Sequence, residues 1–278
     1  MRKWENEKIR NKKMKSVTIR YRPVKWLPIY RTVAGSFPQN WGDVTAEQLV
    51  AIACLYKNRI SELLFLKRMS GLPMGVLKRC DDYERFKLME HLEFVGNRRP
   101  YHEFIVKKIK KGTMGTNGDD LRAPAGKLKG VSFGQFIFAD TYFSNYQGTG
   151  NVEDLNKFIA ALYLKPGEGF EEGIIERRHE SIGKVDIHIR EAIVLNYQLM
   201  HEWLALAYPL IFQKKETEDR RLETEDGKQE TGNGNTWIKV FQNFVGDDIL
   251  HDDVWASKPI NTIFTYMTRK YKENARRK

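Results

Sequence analysis

The chain has 278 residues, of which 41% are hydrophobic, 12% aromatic and 30% charged. This composition is typical of a folded globular protein and excludes a disordered chain. No apolar run reaches the roughly 18 to 20 residues needed to cross a bilayer, so the sequence predicts no membrane association. The basic start MRKWENEKIRNKKMK is followed by no apolar signal core, and we therefore expect a cytoplasmic protein.

The formal net charge of +11 is concentrated in three places. Residues 1–32 carry eleven Lys and Arg against two Glu, residues 98–130 carry nine against three acids, and residues 267–278 carry six against one. Such clusters bind phosphates through counterion release, or they are solvated, or they dock on an acidic partner. The candidate basic contacts at the C-terminal end are Arg269, Lys270, Lys272, Arg276 and Arg277.

The first hundred residues predict one short strand and several helices. Residues 1–13 are nearly all polar and read as a mobile basic extension, with Met14 as an alternative start. SVTIRYRPV alternates as a strand does, and WLPIYRTVAGSFPQNWGD resembles a turn-rich connector. Thr45 and Gln48 form a capping box that predicts a helix start. Further helices are expected in ISELLFLKRMSG and, as one long helix, in DDYERFKLMEHLEFVG.

The next segment, YHEFIVKKIKK, predicts a strand that pairs with the one near Val17, which would give a small two-stranded β element. The exposed loop that follows it, residues 112–130, is rich in Gly. It lacks a phosphate-binding motif because Gly126 and Lys127 are followed by Leu128 instead of Ser or Thr.

Six aromatic rings lie in VSFGQFIFADTYFSNYQG, residues 131–148. Ser132 and Gln135 form a second capping box, which predicts that a helix begins at Phe133. At about 100° per residue, Phe136, Ala139, Phe143 and Tyr146 share one stripe. Such a helix belongs in a core, or it lines an aromatic groove for a partner helix. The candidate partner-binding residues are Phe136, Phe143 and Tyr146.

The rest of the chain predicts a helical bundle followed by a separate module. NVEDLNKFIAALYL is a helix capped by Asn151, and Asp186 precedes the longest helix, which ends before Pro209. The fold class is therefore mainly α, with the helical core domain spanning residues 14–212. Residues 213–235 read as a flexible charged linker, and residues 236–278 as a C-terminal helical module. Three aromatic residues of this module are further partner-binding candidates: Trp237, Phe241 and Phe244.

No catalytic, cofactor-binding or metal-binding set is predicted, and we do not expect an enzyme. The acidic cluster Asp247, Asp248, His251, Asp252 and Asp253 has the ligand types of a hard-cation site, but turns commonly use Asp to cap backbone amides, so its role stays open. Cys54 and Cys80 are too few for a disulfide framework or a zinc site. The histidines form no metal or nucleophile motif.

Several stretches resemble one group of proteins, namely VKWLPIYRTVAGSFPQNWGDVTAEQLVAIACL, KGVSFGQFIFADTYFSNYQ, LNKFIAALYL, LALAYPLIFQK and WIKVFQNFVGDD. They are similar to tail-module proteins of phages and prophages of gut Bacteroidetes. The resemblance implies a tail assembly chaperone in the host bacterial cytoplasm, which binds the tape-measure protein before the tube forms and recruits tube subunits. The alternatives are a structural tail or virion component, and a nucleic-acid-binding protein that uses its basic termini. The oligomeric state is left open.

Overall fold

A computed structural model describes residues 14–23, 26, 28–110, 112, 120–212, 237 and 252–277. The fold is mainly α with two small two-stranded antiparallel sheets, which confirms the predicted class. None of the helices in these ranges is long and apolar enough to span a bilayer. The predicted extension 1–13 and linker 213–235 lie outside the described residues, and the predicted domain boundaries stay predictions.

The chain forms two compact units, Met1–Tyr101 and His102–Lys278, which we call unit 1 and unit 2. Unit 1 contains two strands and five helices within its described residues: β1 (Lys15–Tyr21), β2 (Arg31–Phe37), α1 (Ala46–Tyr56), α2 (Glu62–Ser70), α3 (Met74–Leu77), α4 (Asp82–Glu90) and α5 (Glu93–Gly96). The capping box of Thr45 and Gln48 is present at the start of α1. The expected single helix over residues 81–96 is wrong, because Leu92 leaves the helical conformation and separates α4 from α5.

The strand near Val17 exists, but its predicted partner is wrong. β1 pairs antiparallel with β2, from Lys15 opposite Phe37 to Tyr21 opposite Arg31. β2 lies in the segment interpreted as a connector. Closing the short loop 22–30 costs less chain entropy than joining β1 to a segment near residue 105, which favours the local partner.

Unit 2 is a helical bundle with one minimal sheet. Its elements are β3 (Lys108–Ile109), β4 (Leu121–Arg122), α6 (Phe133–Thr149), α7 (Val152–Leu162), α8 (Gly173–Gly183), α9 (Ile187–Ala207), α10 (Asp252–Ser257) and α11 (Ile260–Arg277). Asn151 and Asp186 cap α7 and α9 as predicted. Only two residues of YHEFIVKKIKK form a strand, and they pair with β4.

Buried polar side chains hold the irregular segments of unit 2 against its helices. Asn196 in α9 is fully buried, and its side chain accepts a hydrogen bond from the Ile105 amide and donates one to the Glu103 carbonyl. The Tyr163 hydroxyl donates to the Val106 carbonyl at 2.6 Å. These contacts satisfy backbone groups that a strand or helix would otherwise pair.

The second predicted capping box is only half formed. The Ser132 hydroxyl accepts from the Gln135 amide, as expected for an N-cap. The Gln135 side chain instead donates to the Ala161 carbonyl at 2.9 Å and so joins α6 to the end of α7. Gln135 is 3% exposed, so its amide serves the packing of two helices rather than the helix start.

Replacement of Gly35 by Ala tests how β2 packs within unit 1. A Cβ at position 35 would lie 2.7 Å from Cγ of Leu72 and 3.0 Å from the Ser70 carbonyl oxygen. We expect Gly35→Ala to lower the free energy of unfolding by about 1 to 3 kcal/mol in urea, because Leu72 is fully buried and must shift. Gly96→Ala is the control, since a Cβ there meets nothing within 4 Å beyond its chain neighbours and the backbone of its own helix. Equal stability of both variants would contradict this packing.

Candidate functional site

A single buried carboxylate occupies the centre of the aromatic helix α6. Asp140 is 2% exposed. It follows Phe136 by four residues and precedes Phe143 by three, so the charge shares the apolar face of the helix. An ionised group in such a place is stable only with hydrogen-bond donors around it.

Three side chains donate hydrogen bonds to this carboxylate. The Tyr197 hydroxyl donates to Oδ1 at 3.2 Å, and Nε2 of His201 contacts the same oxygen. Nε1 of Trp237 donates to Oδ2 at 2.5 Å. Because Tyr197 and His201 are four residues apart in α9, one helix face supplies both donors to Oδ1. Both oxygens of Asp140 are therefore satisfied by residues distant in the sequence.

Aromatic rings surround the carboxylate and hold Trp237 beside it. The Phe136 ring lies 5.1 Å from that of Trp237 and 5.3 Å from that of Phe264, nearly perpendicular to both. Phe212 meets Trp237 at 5.4 Å and Phe264 at 5.3 Å. Edge-to-face contacts of this kind stabilise packing beyond the burial of area. We call this cluster the aromatic site; its bundle side consists of Phe136, Asp140, Phe143, Tyr197, His201 and Phe212, and its occupants are Trp237 and Phe264.

Helix α11 brings Phe264 to the aromatic site. Its buried residues are Ile260, Ile263, Phe264 and Met267, which recur at helical spacing. Backbone hydrogen bonds secure the approach, since the Phe133 amide donates to the Lys258 carbonyl and the Ile260 amide to the Val131 carbonyl. Residues 258–267 therefore dock on the start of α6 by their backbone and on the aromatic site by their apolar face.

The environment of the site changes the pKa of two groups. Burial lowers the pKa of His201, but the charge and hydrogen bond of Asp140, together with the charge of Glu202, raise it by more, so the net pKa lies above its ordinary value. Burial, with the adjacent Asp140 charge, raises the pKa of Tyr197. His201 is thereby held as a cation against Asp140 over a wider pH range, while Tyr197 stays a neutral donor.

The predicted aromatic residues fall in different places. Phe136 and Phe143 are 1% and 7% exposed, and Phe143 stacks on His201 with 5.2 Å between ring centres. Tyr146 is half-buried at the end of the same stripe. Trp237 occupies the aromatic site, whereas Phe241 and Phe244 lie outside the described residues. A partner can contact the Phe136 ring only after Trp237 and Phe264 of the same chain have moved away from it.

The predicted basic contacts lie on the second half of α11. The side chains of Arg269, Lys270, Lys272 and Arg276 are exposed there, and Arg269 lies 3.8 Å from Glu273. Arg277 ends the helix. Helix α11 thus joins a buried apolar half to an exposed basic half.

The acidic cluster is described only at its end. Asp247, Asp248 and His251 lie outside the described residues, while Asp252 starts α10 and Asp253 is exposed. No group of three His, Cys, Asp or Glu side chains suited to a metal ion occurs within the described ranges. Cys54 and Cys80 are both buried as free thiols.

Sequence reasoning missed Asp140 and His201 as a pair. A signal for Asp140 was present, because a carboxylate on the same helix face as Phe133, Phe136 and Phe143 must find donors when that face is buried. His201 likewise follows the buried Tyr197 by one helical turn. No local pattern connects the two, since 61 residues separate them.

The aromatic site holds side chains of its own chain, which is an arrangement suited to anchoring a segment. A carboxylate that accepts from an indole fixes the orientation of that indole, and the surrounding rings exclude water. Comparisons with known family models, with curated proteins and with solved structures found no match for this chain. The geometry of the site therefore carries the functional conclusion.

Replacement of Trp237 by Phe tests the contribution of the indole donor. Trp237→Phe keeps a ring in the aromatic site but leaves Oδ2 of Asp140 without its donor. We expect the free energy of unfolding to fall by about 1.5 to 3 kcal/mol, the range for hydrogen bonds to charged groups. Trp26→Phe is the control, because Trp26 is 81% exposed. A Trp237→Phe variant as stable as the control would contradict the hydrogen bond.

The raised pKa of His201 predicts a specific pH dependence. Because the folded pKa lies above the unfolded one, the stabilisation by His201 is fully present below the unfolded pKa and is lost as the pH rises through the folded pKa. Titration of the His201 ring by NMR measures the folded value directly. In Asp140→Asn we expect this pKa to fall below the ordinary histidine value of about 6.5, since burial then acts without the carboxylate. An unchanged titration in Asp140→Asn would refute the pairing.

Proposed function

We propose that this chain is a tail assembly protein of a phage or prophage, and that it acts as a chaperone for the tape-measure protein before the tube forms. One observation carries the proposal. The aromatic site receives an amphipathic helix, which here is α11 of the same chain. A protein that binds one such helix has the surface needed to bind another of the same pattern.

The contacts of α11 are those of a helix bound in a groove. Ile260, Ile263, Phe264 and Met267 follow the spacing i, i+3, i+4 and i+7, and they are the buried residues of the helix. Thr262 and Thr265, between them, are exposed. The resemblance to tail-module proteins supplies the partner class, because a tape-measure protein is long and helical and so offers many segments with this spacing.

The exposed half of α11 supports a role in assembly for a second reason. Tyr271 is 47% exposed, and four exposed cations accompany it on the same half: Arg269, Lys270, Lys272 and Arg276. An exposed aromatic ring among cations is a common composition for a protein contact. Tube subunits are the partners that the resemblance suggests for this half.

A nucleic-acid-binding function is the second candidate. The basic half of α11 favours it, because Lys and Arg side chains on one exposed helix release counterions when they meet phosphates. A structural tail or virion component shares the protein contacts of the chaperone and differs from it in remaining in the finished particle.

Co-expression with candidate tail proteins from the same operon tests the proposal. We expect a long helical tape-measure protein to co-elute with this chain, identified by mass, and finished particles to lack this chain. Phe264→Ala loosens α11 in the aromatic site, so a competing helix gains access and capture of the tape-measure protein rises. Thr262→Ala is the matched control, because residue 262 is on the same helix and exposed.

Three results would contradict the chaperone. If neither the wild type nor Phe264→Ala captures a tape-measure protein, that protein is not the partner of this chain. Stoichiometric presence in finished particles identifies a structural component. Recovery of salt-removable nucleic acid in place of a tape-measure protein, and its loss when Arg269, Lys270, Lys272 and Arg276 are replaced by Gln, favours the second candidate.

A further inference from the structure

The hairpin of β1 and β2 has one face that packs on unit 1 and one that does not. Residues directly opposite in an antiparallel pair share a face, and successive residues alternate. The inner face carries Val17, Ile19, Val33 and Gly35, each half-buried, and Gly35 approaches Leu72. The opposite face, which we call the outer face, carries Thr18, Arg20, Arg22, Tyr30, Thr32 and Ala34, all exposed.

Two guanidinium groups of the outer face lie over one ring. Cζ of Arg20 is 4.2 Å and Cζ of Arg22 is 4.7 Å from the centre of the Tyr30 ring. Nη2 of Arg22 also donates to the Tyr30 hydroxyl. Stacking holds both guanidinium planes in place while their N–H edges remain accessible to an anion.

The stretch of sequence that contains this pair carries charge of one sign. Between Glu7 and Asp43 the sequence contains nine Lys and Arg and no Asp or Glu. Among the described residues no carboxylate pairs with Arg20 or Arg22. Two cations close to the same ring repel each other, and a bound anion lessens that repulsion.

Two aromatic side chains and one aliphatic side chain between residues 26 and 30 are exposed to solvent. Trp26 is 81% exposed, Ile29 55% and Tyr30 44%. Arg79 contacts the chain at the end of β1, because its guanidinium donates to the Pro23 carbonyl at 3.0 Å and lies over the Tyr21 ring. A ring presented to solvent beside fixed cations matches a ligand that has both phosphates and flat bases.

We infer that the outer face of this hairpin, together with Trp26, binds single-stranded nucleic acid, with Arg20 and Arg22 on phosphates and Trp26 stacked on a base. Duplex nucleic acid offers the phosphates but keeps its bases stacked inside. An acidic peptide offers the charge without the bases. The site belongs to unit 1 and does not rest on the proposed function, which depends on the aromatic site of unit 2.

Fluorescence anisotropy of labelled oligo(dT) of about 20 nucleotides, with the full chain, measures the binding. Arg20→Gln/Arg22→Gln removes two charges from the outer face. Since each phosphate contact on a single strand contributes about 0.7 to the slope of log K against log salt, we expect the slope to become shallower by about 1.4. Lys67→Gln/Arg68→Gln is the matched control, because it removes two exposed charges from α2 of the same unit and should leave the slope unchanged.

Trp26→Ala separates stacking from charge. We expect it to weaken oligo(dT) binding by about 5-fold to 160-fold with the salt slope unchanged, because one stacked base is lost and no phosphate contact is lost. All three variants should keep the melting temperature of the wild type, since the replaced side chains are exposed, so a change in binding does not come from unfolding.

Several results would overturn the inference. The first is absence of oligo(dT) binding by the wild type. The second is an equal loss of slope in Lys67→Gln/Arg68→Gln, which indicates attraction by net charge alone. The third is competition by polyglutamate as effective as that by oligo(dT), together with unchanged affinity of Trp26→Ala, which indicates an acidic protein partner instead.

Discussion

The structure of unit 2 depends on the burial of one carboxylate, Asp140. A charge that is 2% exposed requires compensating donors, and a bundle that left it unpaired would be strongly destabilised. The donors come from Tyr197 and His201 in α9 and from Trp237 beyond the bundle. Apolar rings pack in many arrangements with similar energies. These hydrogen bonds form only when the three donors lie next to the carboxylate. We infer that Asp140 selects the arrangement in which α6, α9 and Trp237 meet.

Buried polar side chains also satisfy backbone groups at three other places in unit 2. Asn196 holds the segment near Ile105, Tyr163 holds Val106, and Gln135 joins α6 to the end of α7. In each case a buried side chain pairs with backbone groups that lack a partner in a helix or strand. Long non-helical segments can therefore enter the core without leaving unsatisfied amides, and the aromatic site is built between helices whose positions these bonds secure.

Aromatic and basic residues serve opposite purposes in the two units. In unit 2 the rings of Phe136, Trp237 and Phe264 are turned inward beside the buried Asp140 carboxylate. In unit 1 the outer face of the hairpin presents Tyr30 to solvent beneath two guanidinium groups. Inward rings suit the anchoring of a helical segment, and outward rings beside cations suit an anionic ligand. Composition alone does not distinguish these two uses, because both draw on the same residue types.

Local signals in the sequence determined the helical elements of this protein. Thr45, Asn151 and Asp186 each cap the helix that they predict, because an N-cap bond joins residues two or three apart and needs no tertiary context. Helical spacing likewise identified Phe136 and Phe143 as neighbours on one face of α6. The mainly α class followed from these two kinds of signal.

Only the tertiary structure decided which distant groups meet. The pairing of β1 with β2, the break at Leu92 and the use of Gln135 between helices depend on packing that no local pattern encodes. The contact of Asp140 with His201 is the clearest case, since 61 residues separate them and each alone reads as a polar interruption of an apolar helix. A carboxylate on a buried helix face predicts that a hydrogen-bond donor lies beside it. Only the fold, by bringing α6 against α9, determines which residue is that donor.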